Sequence, residues 1–373
     1  MTEFLEKSKC CGCSACMQAC PKRCITMHED NEGFLYPDVD KNSCIDCGLC
    51  EKVCPVLQAK EKEKPLKVYA AKNNDEQTRI KSSSGGIFTL LAEKNIEENG
   101  IVFGARFDDN WEVVHDYTET KEGIALFRGS KYVQSKIGET YKQAKEFLKN
   151  GRKVLFSGTP CQIAGLKSYL RKEYDNLLAV EVICHGTPSP KVWRDYLAET
   201  KRGQKITSID FRNKTYGWKS YWTHIKGENT DIVKEKFFNN AYMVGFLKNL
   251  YLRPSCHNCS FKINKSEADV TLGDFWGIEN VIPQFDDDKG CSVVILHSPK
   301  HQELISATTH IETDLNSAIK GNPCLSKSVY KPVNRGLFWF LYKKMSIKNA
   351  IKCINSDNLL IRAYRWIFRK IKR

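Results

Sequence analysis

The sequence predicts a small, cysteine-rich α+β unit followed by a larger α/β unit with a largely parallel sheet. Three observations predict it: a cysteine motif that occurs twice before residue 57, a charged stretch directly after it, and β-branched runs alternating with helix-length segments from Lys67 onward. A chain of 373 residues is long enough for two or three such units. With 41% hydrophobic residues it can bury a sizeable core. The mean hydropathy of −0.46 and the lack of a long apolar run argue against a polytopic membrane protein.

Seventeen cysteines are many for a chain whose first nine residues lack the basic and apolar regions of a signal peptide. The expected compartment is the cytoplasm, where thiols stay reduced and clustered cysteines bind metal rather than pair as disulfides. Ten of the seventeen precede residue 55, which places the metal chemistry at the front of the chain.

The first element, residues 1–57, is an internal repeat. Cys10-x-x-Cys13-x-x-Cys16-x-x-x-Cys20-Pro21 recurs as Cys44-x-x-Cys47-x-x-Cys50-x-x-x-Cys54-Pro55. Three thiolates at this spacing wrap three corners of a 4Fe–4S cubane, and the fourth, followed by Pro, ligates the other cluster. One cluster is therefore expected on Cys10, Cys13, Cys16 and Cys54, and a second on Cys44, Cys47, Cys50 and Cys20. Zinc ribbons need only paired Cys-x-x-Cys and leave the third cysteine and the Cys-Pro ends unexplained. The expected unit is a two-cluster ferredoxin-type domain, with Cys11 and Cys24 as bystanders outside its register. Residues 58–66 read as a solvated charged linker.

In the next element, residues 67–330, strands are expected at 101–103, 153–156 and 177–183, with helices at 87–98, about 161–169 and 190–200. Further strand-like text lies at 206–211, 221–225, 270–272 and 293–296. Ser157-Gly-Thr-Pro-Cys161 follows a strand and opens a helix, with Thr159 as N-cap and Pro160 as first helical residue. Cys184-His-Gly-Thr-Pro occupies the next such junction. Right-handed crossovers make the two strands parallel, so both cysteines emerge at the sheet's carboxyl edge, where ligands bind. With Cys256-x-x-Cys259 they make four possible ligands.

Several motifs occur in order: Ser83-Ser-Gly-Gly-Ile-Phe88, Ser130-Lys-Tyr-Val-Gln134, Ser157-Gly-Thr-Pro-Cys-Gln162, Cys184-His-Gly186, Arg253-Pro-x-Cys-x-x-Cys259 and Ala268-Asp-Val-Thr-Leu-Gly-Asp-Phe-Trp276. Over roughly residues 67–300 the chain resembles the coenzyme F420 hydrogenase/dehydrogenase beta-subunit family. The resemblance implies FAD beside a 4Fe–4S cluster, and a deazaflavin or another small organic molecule as substrate. A redox partner protein or complex is expected with it.

The residues support a flavin in part. No Gly-x-Gly-x-x-Gly is present. Ser83, Ser84, Gly85 and Gly86 can offer backbone N–H groups to a pyrophosphate, or simply N-cap the helix that follows. Lys131 and Gln134 can bind the cofactor or sit on the surface of a short strand. Ser157, Gly158 and Thr159 are further cofactor-binding candidates. His185, Asp274 and Trp276 are the catalytic candidates, although a loop histidine and a core tryptophan are equally ordinary readings. Cys161, Cys184, Cys256 and Cys259 would accept zinc as readily as iron. The ferredoxin repeat favours a third 4Fe–4S cluster, because electrons bound for a flavin need a redox-active carrier.

The expected activity is that of an iron–sulfur flavoprotein oxidoreductase; a non-catalytic electron-transfer subunit and a zinc-stabilised adaptor are the alternatives. Residues 331–373 contribute +11 of the net +14, which leaves a nearly neutral body. No nucleic-acid signature accompanies that charge, so no nucleic-acid partner is expected. Leu360, Tyr364, Ile367, Phe368 and Ile371 lie opposite Arg362, Arg365, Arg369 and Lys372 at helical spacing. This basic amphipathic helix suits an anionic membrane surface, or packs on its own domain.

Overall fold

A computed structural model describes residues 5–58, 67–262 and 265–356. Most of the charged linker and the amphipathic helix expected beyond residue 357 lie outside these residues. Among the described residues, no helix is long and apolar enough to cross a membrane.

The N-terminal repeat forms two short helices, Ala15–Ala19 and Leu49–Lys52, and a hairpin of β1 (Ile25–Glu29) with β2 (Leu35–Val39). Next come β3 (Lys67–Asn73), β4 (Ile101–Phe107), β5 (Val113–Thr118), β6 (Val154–Gly158) and β7 (Leu177–Val182). They are followed by β8 (Ile206–Asn213), β9 (Trp222–Gly227), β10 (Asp231–Lys236), β11 (Val270–Asp274), β12 (Ser292–Leu296) and β13 (Thr308–Thr313). Eight strands form one sheet in the order β13-β3-β12-β11-β7-β6-β4-β5, and β10-β9-β8 form a small antiparallel sheet.

The large sheet is mixed rather than largely parallel. Only its centre, β11-β7-β6-β4, is parallel; β12, β3, β13 and β5 all pair antiparallel. The centre is parallel because helical crossovers separate β4, β6 and β7 in the chain. The β4–β5 edge is a hairpin instead. Asp108 Oδ1 accepts from the N–H groups of Asn110 (2.9 Å) and Glu112 (2.8 Å), closing a turn too short for a crossover.

The parallel centre is buried on both faces. Val154, Leu155, Phe156, Ala179 and Val180 are all fully buried, as expected of strands covered by helices on each side. Helix Pro160–Leu170 packs on this centre and also receives the N-terminal repeat, since Cys11, Cys13, Ala15 and Val53 share a core with Ile163, Ala164 and Leu166. Gly165 makes the approach possible: a Cβ there would lie 2.8 Å from that of Cys13.

The β1–β2 turn docks on helix Pro190–Lys201. Gly33 has φ +85°, and a Cβ on it would meet Lys191 at 2.3 Å. Ser189 Oγ donates to Glu32 O, and Arg335 forks onto the Glu32 carboxylate. Helices Arg335–Tyr342 and Ile347–Asn355 complete the core through Phe338, Ile347, Ala350, Ile351 and Ile354.

Candidate iron–sulfur and cofactor sites

Each half of the repeat turns its chain with the same device. Left-handed residues stand two and four positions after the leading cysteine: Gly12 (φ +70°) and Ser14 (φ +62°), then Asp46 (φ +50°) and Gly48 (φ +69°). Such alternation curls successive peptides around a concavity that suits an anionic group. Cys10, Cys13, Cys16 and Cys54 line one cavity, together with Cys11. Cys20, Cys44, Cys47 and Cys50 line another, together with Cys24, whose Sγ lies 3.3 Å from that of Cys20.

A third cavity lies at the carboxyl edge of the large sheet. Cys161 enters it from the first turn of helix Pro160–Leu170, where Thr159 N–H donates to Gln162 Oε1 at 2.9 Å. Cys184 follows the adjacent parallel strand β7, and Cys256 and Cys259 flank the end of the 3₁₀ turn Pro254–Asn258. All four line this cavity, with Cys11, His185, Arg253 and Lys262. Thr187 N–H approaches Cys256 Sγ at 3.4 Å, and Lys262 Nζ donates to Cys184 O at 2.9 Å. Burial pushes the Cys16 thiol up to about 12 and that of Cys259 to about 11, and it also raises Cys184 and Cys256. Thiolates persist in such places only beside a cation such as iron.

His185 is held on this third cavity by Asn249 Oδ1 (2.7 Å) and an edge contact with Phe246, and burial lowers its pKa. It therefore stands as a neutral imidazole. Ser157 is turned inward, its Oγ donating to Phe103 O (2.9 Å) and its carbonyl bonded to buried His115 Nε2 (3.0 Å). Burial brings His115 down to about 4. Gly158 packs on Gln162 and His115. Gln134 also serves this side: its Nε2 donates to Cys11 O at 3.1 Å.

The second group of candidates gathers elsewhere. Helix Ile87–Glu97 is capped by Gly86 (φ +83°) without any side-chain bond, so the serines before it are not its N-cap. Ser83 Oγ instead accepts from Ser130 N–H (2.7 Å), Ser84 Oγ donates to Cys291 O (2.8 Å) and Gly85 N–H to Ser292 Oγ (2.9 Å). Three cations surround this loop. Lys214 Nζ donates to Ser84 O (2.7 Å), Lys289 O (2.8 Å) and Arg79 O (3.0 Å). Lys131 Nζ donates to Arg128 O (3.0 Å) and Gly129 O (3.2 Å). Burial pushes both ammonium groups down to about 7. Arg212 reaches Ser83 O (3.3 Å) and forks onto Asp274 at 2.8 and 3.1 Å, while its buried Nε has no hydrogen-bond partner among the described residues.

Asp274 also accepts from Trp218 Nε1 at 2.9 Å, and Trp218 stacks on Trp276 with centroids 4.6 Å apart. The Arg212 guanidinium lies 4.9 Å from the Trp276 ring centroid and 4.1 Å from that of Tyr221. Asp274 and Trp276 thus belong with the Ser83–Gly86 loop, whereas His185 and the 157–159 turn belong with the third cavity. Arg212, Lys214 and Arg253 are absent from the sequence-based site. Arg253 has a signal in its motif, Arg-Pro-x-Cys-x-x-Cys; the other two are single basic residues of a strand and its end.

Cysteine-lined cavities in the N-terminal repeat, with another at the carboxyl edge of a mixed sheet, define an iron–sulfur protein. The 4Fe-4S dicluster domain matches residues 9–57, and the coenzyme F420 hydrogenase/dehydrogenase beta subunit matches residues 68–141 with its N-terminal part and 151–329 with its C-terminal part. The chain belongs to the coenzyme F420 hydrogenase/dehydrogenase beta-subunit family, and it binds 4Fe–4S clusters. Curated proteins give no match. Among solved structures, a chain of the xenon-derivatised F420-reducing NiFe hydrogenase complex from Methanosarcina barkeri is 19% identical; the match covers 78% of this chain and 90% of that one, with a TM-score of 0.46.

Proposed function

We propose that the chain is an iron–sulfur flavoprotein oxidoreductase that works with a redox partner on a small organic substrate. The repeat would hold two clusters, Cys161, Cys184, Cys256 and Cys259 a third, and the Ser83–Gly86 loop FAD, and together these groups would carry electrons between the repeat and the substrate. The single observation that carries this reading is the segment from Ser130 to Gln134. Its first residue bonds Ser83 and its last bonds Cys11, which lines the third cavity. Four residue steps span at most about 14 Å, so the two sites are neighbours.

The loop's surroundings fit an anionic cofactor. Among the described residues Arg212 Nε lacks a hydrogen-bond partner, and the half-buried Lys131 and Lys214 donate to carbonyl oxygens. FAD, when bound, supplies the coupling of one-electron to two-electron chemistry. The loop and the cations bind and orient it, and Asp274 fixes Arg212 for that task. His185, neutral beside the third cavity, is the proton-holding candidate.

A charge-dependent fit has a sign. Lys131 and Lys214 are half-protonated near pH 7, charged below it and neutral above it. ADP, as a pyrophosphate probe, should bind the flavin-free protein several-fold more weakly at pH 8 than at pH 6 by calorimetry. Equal affinity at the two pH values would remove these lysines from the site.

The function itself is tested on anaerobically purified protein. About twelve irons and one FAD per chain are expected, with two-electron reduction of a soluble organic acceptor by the isolated chain. Membership of a beta-subunit family favours a second reading, in which the chain only relays electrons within a complex. Bound flavin without turnover by the isolated chain would select that reading.

A further inference from the structure

Arg253 is among the largest fully buried side chains, at 1% exposure. Its Nε donates to Cys10 O (2.8 Å), Nη1 to Gln134 Oε1 (3.0 Å) and Nη2 to Leu35 O (2.9 Å), while Nη2 faces Cys10 Sγ at 3.7 Å. The guanidinium also lies 4.2 Å from the ring centroid of Tyr36. Gly12 lets it lie flat against the cysteine loop, since a Cβ there would sit 2.7 Å from Nη1. Every oxygen acceptor is neutral. Among the described residues, no carboxylate lies within ion-pair distance of this cation. A buried guanidinium without a counter-charge is costly, and the remaining source of negative charge beside it is a set of thiolates on iron.

Its position is equally specific. Arg253 and Gln134 together grip the carbonyls of Cys10 and Cys11. Cys10 lines the first cavity, whereas Cys11 lines both the first and the third, as does no other cysteine. Arg253 itself lines the third cavity, and its carbonyl accepts from Cys256 N–H at 2.9 Å. One side chain thus ties the peptide that joins the two cavities to the turn that carries two ligands of the second of them.

We propose that Arg253 is the counter-ion of the first cluster and the positioning residue that couples it to the third site. The inference rests on the cluster assignment proposed above. The step it serves is a one-electron exchange: the cluster at Cys10, Cys13, Cys16 and Cys54 is oxidised as the one at Cys161, Cys184, Cys256 and Cys259 is reduced, or the reverse. No bond or proton is transferred. A fixed positive charge favours the more negative, reduced form of the neighbouring cluster, so it raises that cluster's potential.

The test is a redox titration followed by electron paramagnetic resonance on the intact holoprotein. Signals are assigned by their loss in Cys16→Ser, Cys47→Ser and the double variant Cys11→Ala with Cys161→Ser. In Arg253→Gln the first cluster's reduction equilibrium should fall about tenfold, equivalent to ~59 mV for one electron, with smaller shifts elsewhere. Arg253→Lys should restore most of that shift. Gln134→Glu, which sets a carboxylate against Nη1, should lower the same potential and serves if Arg253→Gln fails to accumulate. An unmoved first cluster, or equal shifts in all clusters at wild-type iron content, would overturn the proposal. Eight irons in the unmodified protein would instead overturn the third cluster, while the shift at the first still decides the counter-ion role.

Discussion

Cys161→Ser, made together with Cys11→Ala, is expected to remove about four of about twelve irons per chain and nearly abolish electron delivery to FAD. Serine keeps the shape of the first helical turn, and its hydroxyl is a far poorer ligand for iron than a thiolate. The second substitution is needed because Cys11 lines the same cavity as Cys161. A spare thiol this close offers a replacement ligand. Helix Pro160–Leu170 should survive, because Thr159 N–H and Oγ1 both donate to Gln162 Oε1, and the 3.3 Å contact of Thr159 Oγ1 with Cys161 Sγ is the only part of the cap that the substitution touches. The repeat should keep both of its own cluster signals. Iron assay and electron paramagnetic resonance read the outcome. An unchanged iron count in the double variant, or eight irons with one stoichiometric zinc in the starting protein, would refute a third cluster.

The second large effect is on stability. Asp274→Ala should destabilise the fold by about 3–5 kcal/mol, because it strands the Arg212 guanidinium in the interior. The side chains of this pair are only 3% and 15% exposed, so solvent screens them little. Trp218 Nε1 loses its acceptor in the same substitution. Urea unfolding, with iron content held equal, measures the loss. Adding Arg212→Met should recover part of it by removing the stranded charge, which makes the effects non-additive. A loss below about 1 kcal/mol, the worth of an exposed ion pair, would show that the fork does not hold this part of the sheet.

The part of the molecule legible in the sequence is the part set by local spacing. The three-residue rhythm of the cysteines and the strand–Thr-Pro-Cys–helix junction can be read along the chain. The resulting elements, β6, helix Pro160–Leu170 and β7, stand within a residue or two of their expected bounds. The flanks of the sheet are a different matter. Val68 pairs with Ile295 and also with Thr313, and nothing near residue 68 encodes either partner. The antiparallel character of that flank is therefore invisible to a reading based on neighbouring segments. Arg212 and Lys214 are obscure for a related reason. A basic residue reads as surface until the fold encloses it, and only then do its partners, the Asp274 carboxylate for Arg212 and backbone carbonyls for Lys214, mark it as part of a site. The serines at 82–84 mislead in the other direction: as good helix starters they suggest an N-cap, yet Gly86 takes that place because the chain must turn left-handed there.

The fork between Glu32 and Arg335 joins positions 303 residues apart. During synthesis at ~5–20 residues per second, the cysteine repeat leaves the ribosome roughly 15–60 s before its clasp exists. For the early part of that interval, before helices Pro160–Leu170 and Pro190–Lys201 are made, the repeat's thiols are open to iron donors and to oxidants alike, and the surface meant for the main body is bare. Cluster delivery is consequently a matter of timing as well as affinity. A donor that acts on the nascent chain meets an accessible repeat, whereas one that acts after release must work around a docked hairpin. Ribosome-bound chains stalled before and after residue 335 would differ in how readily they take up iron, and oxygen present during translation would do its harm early.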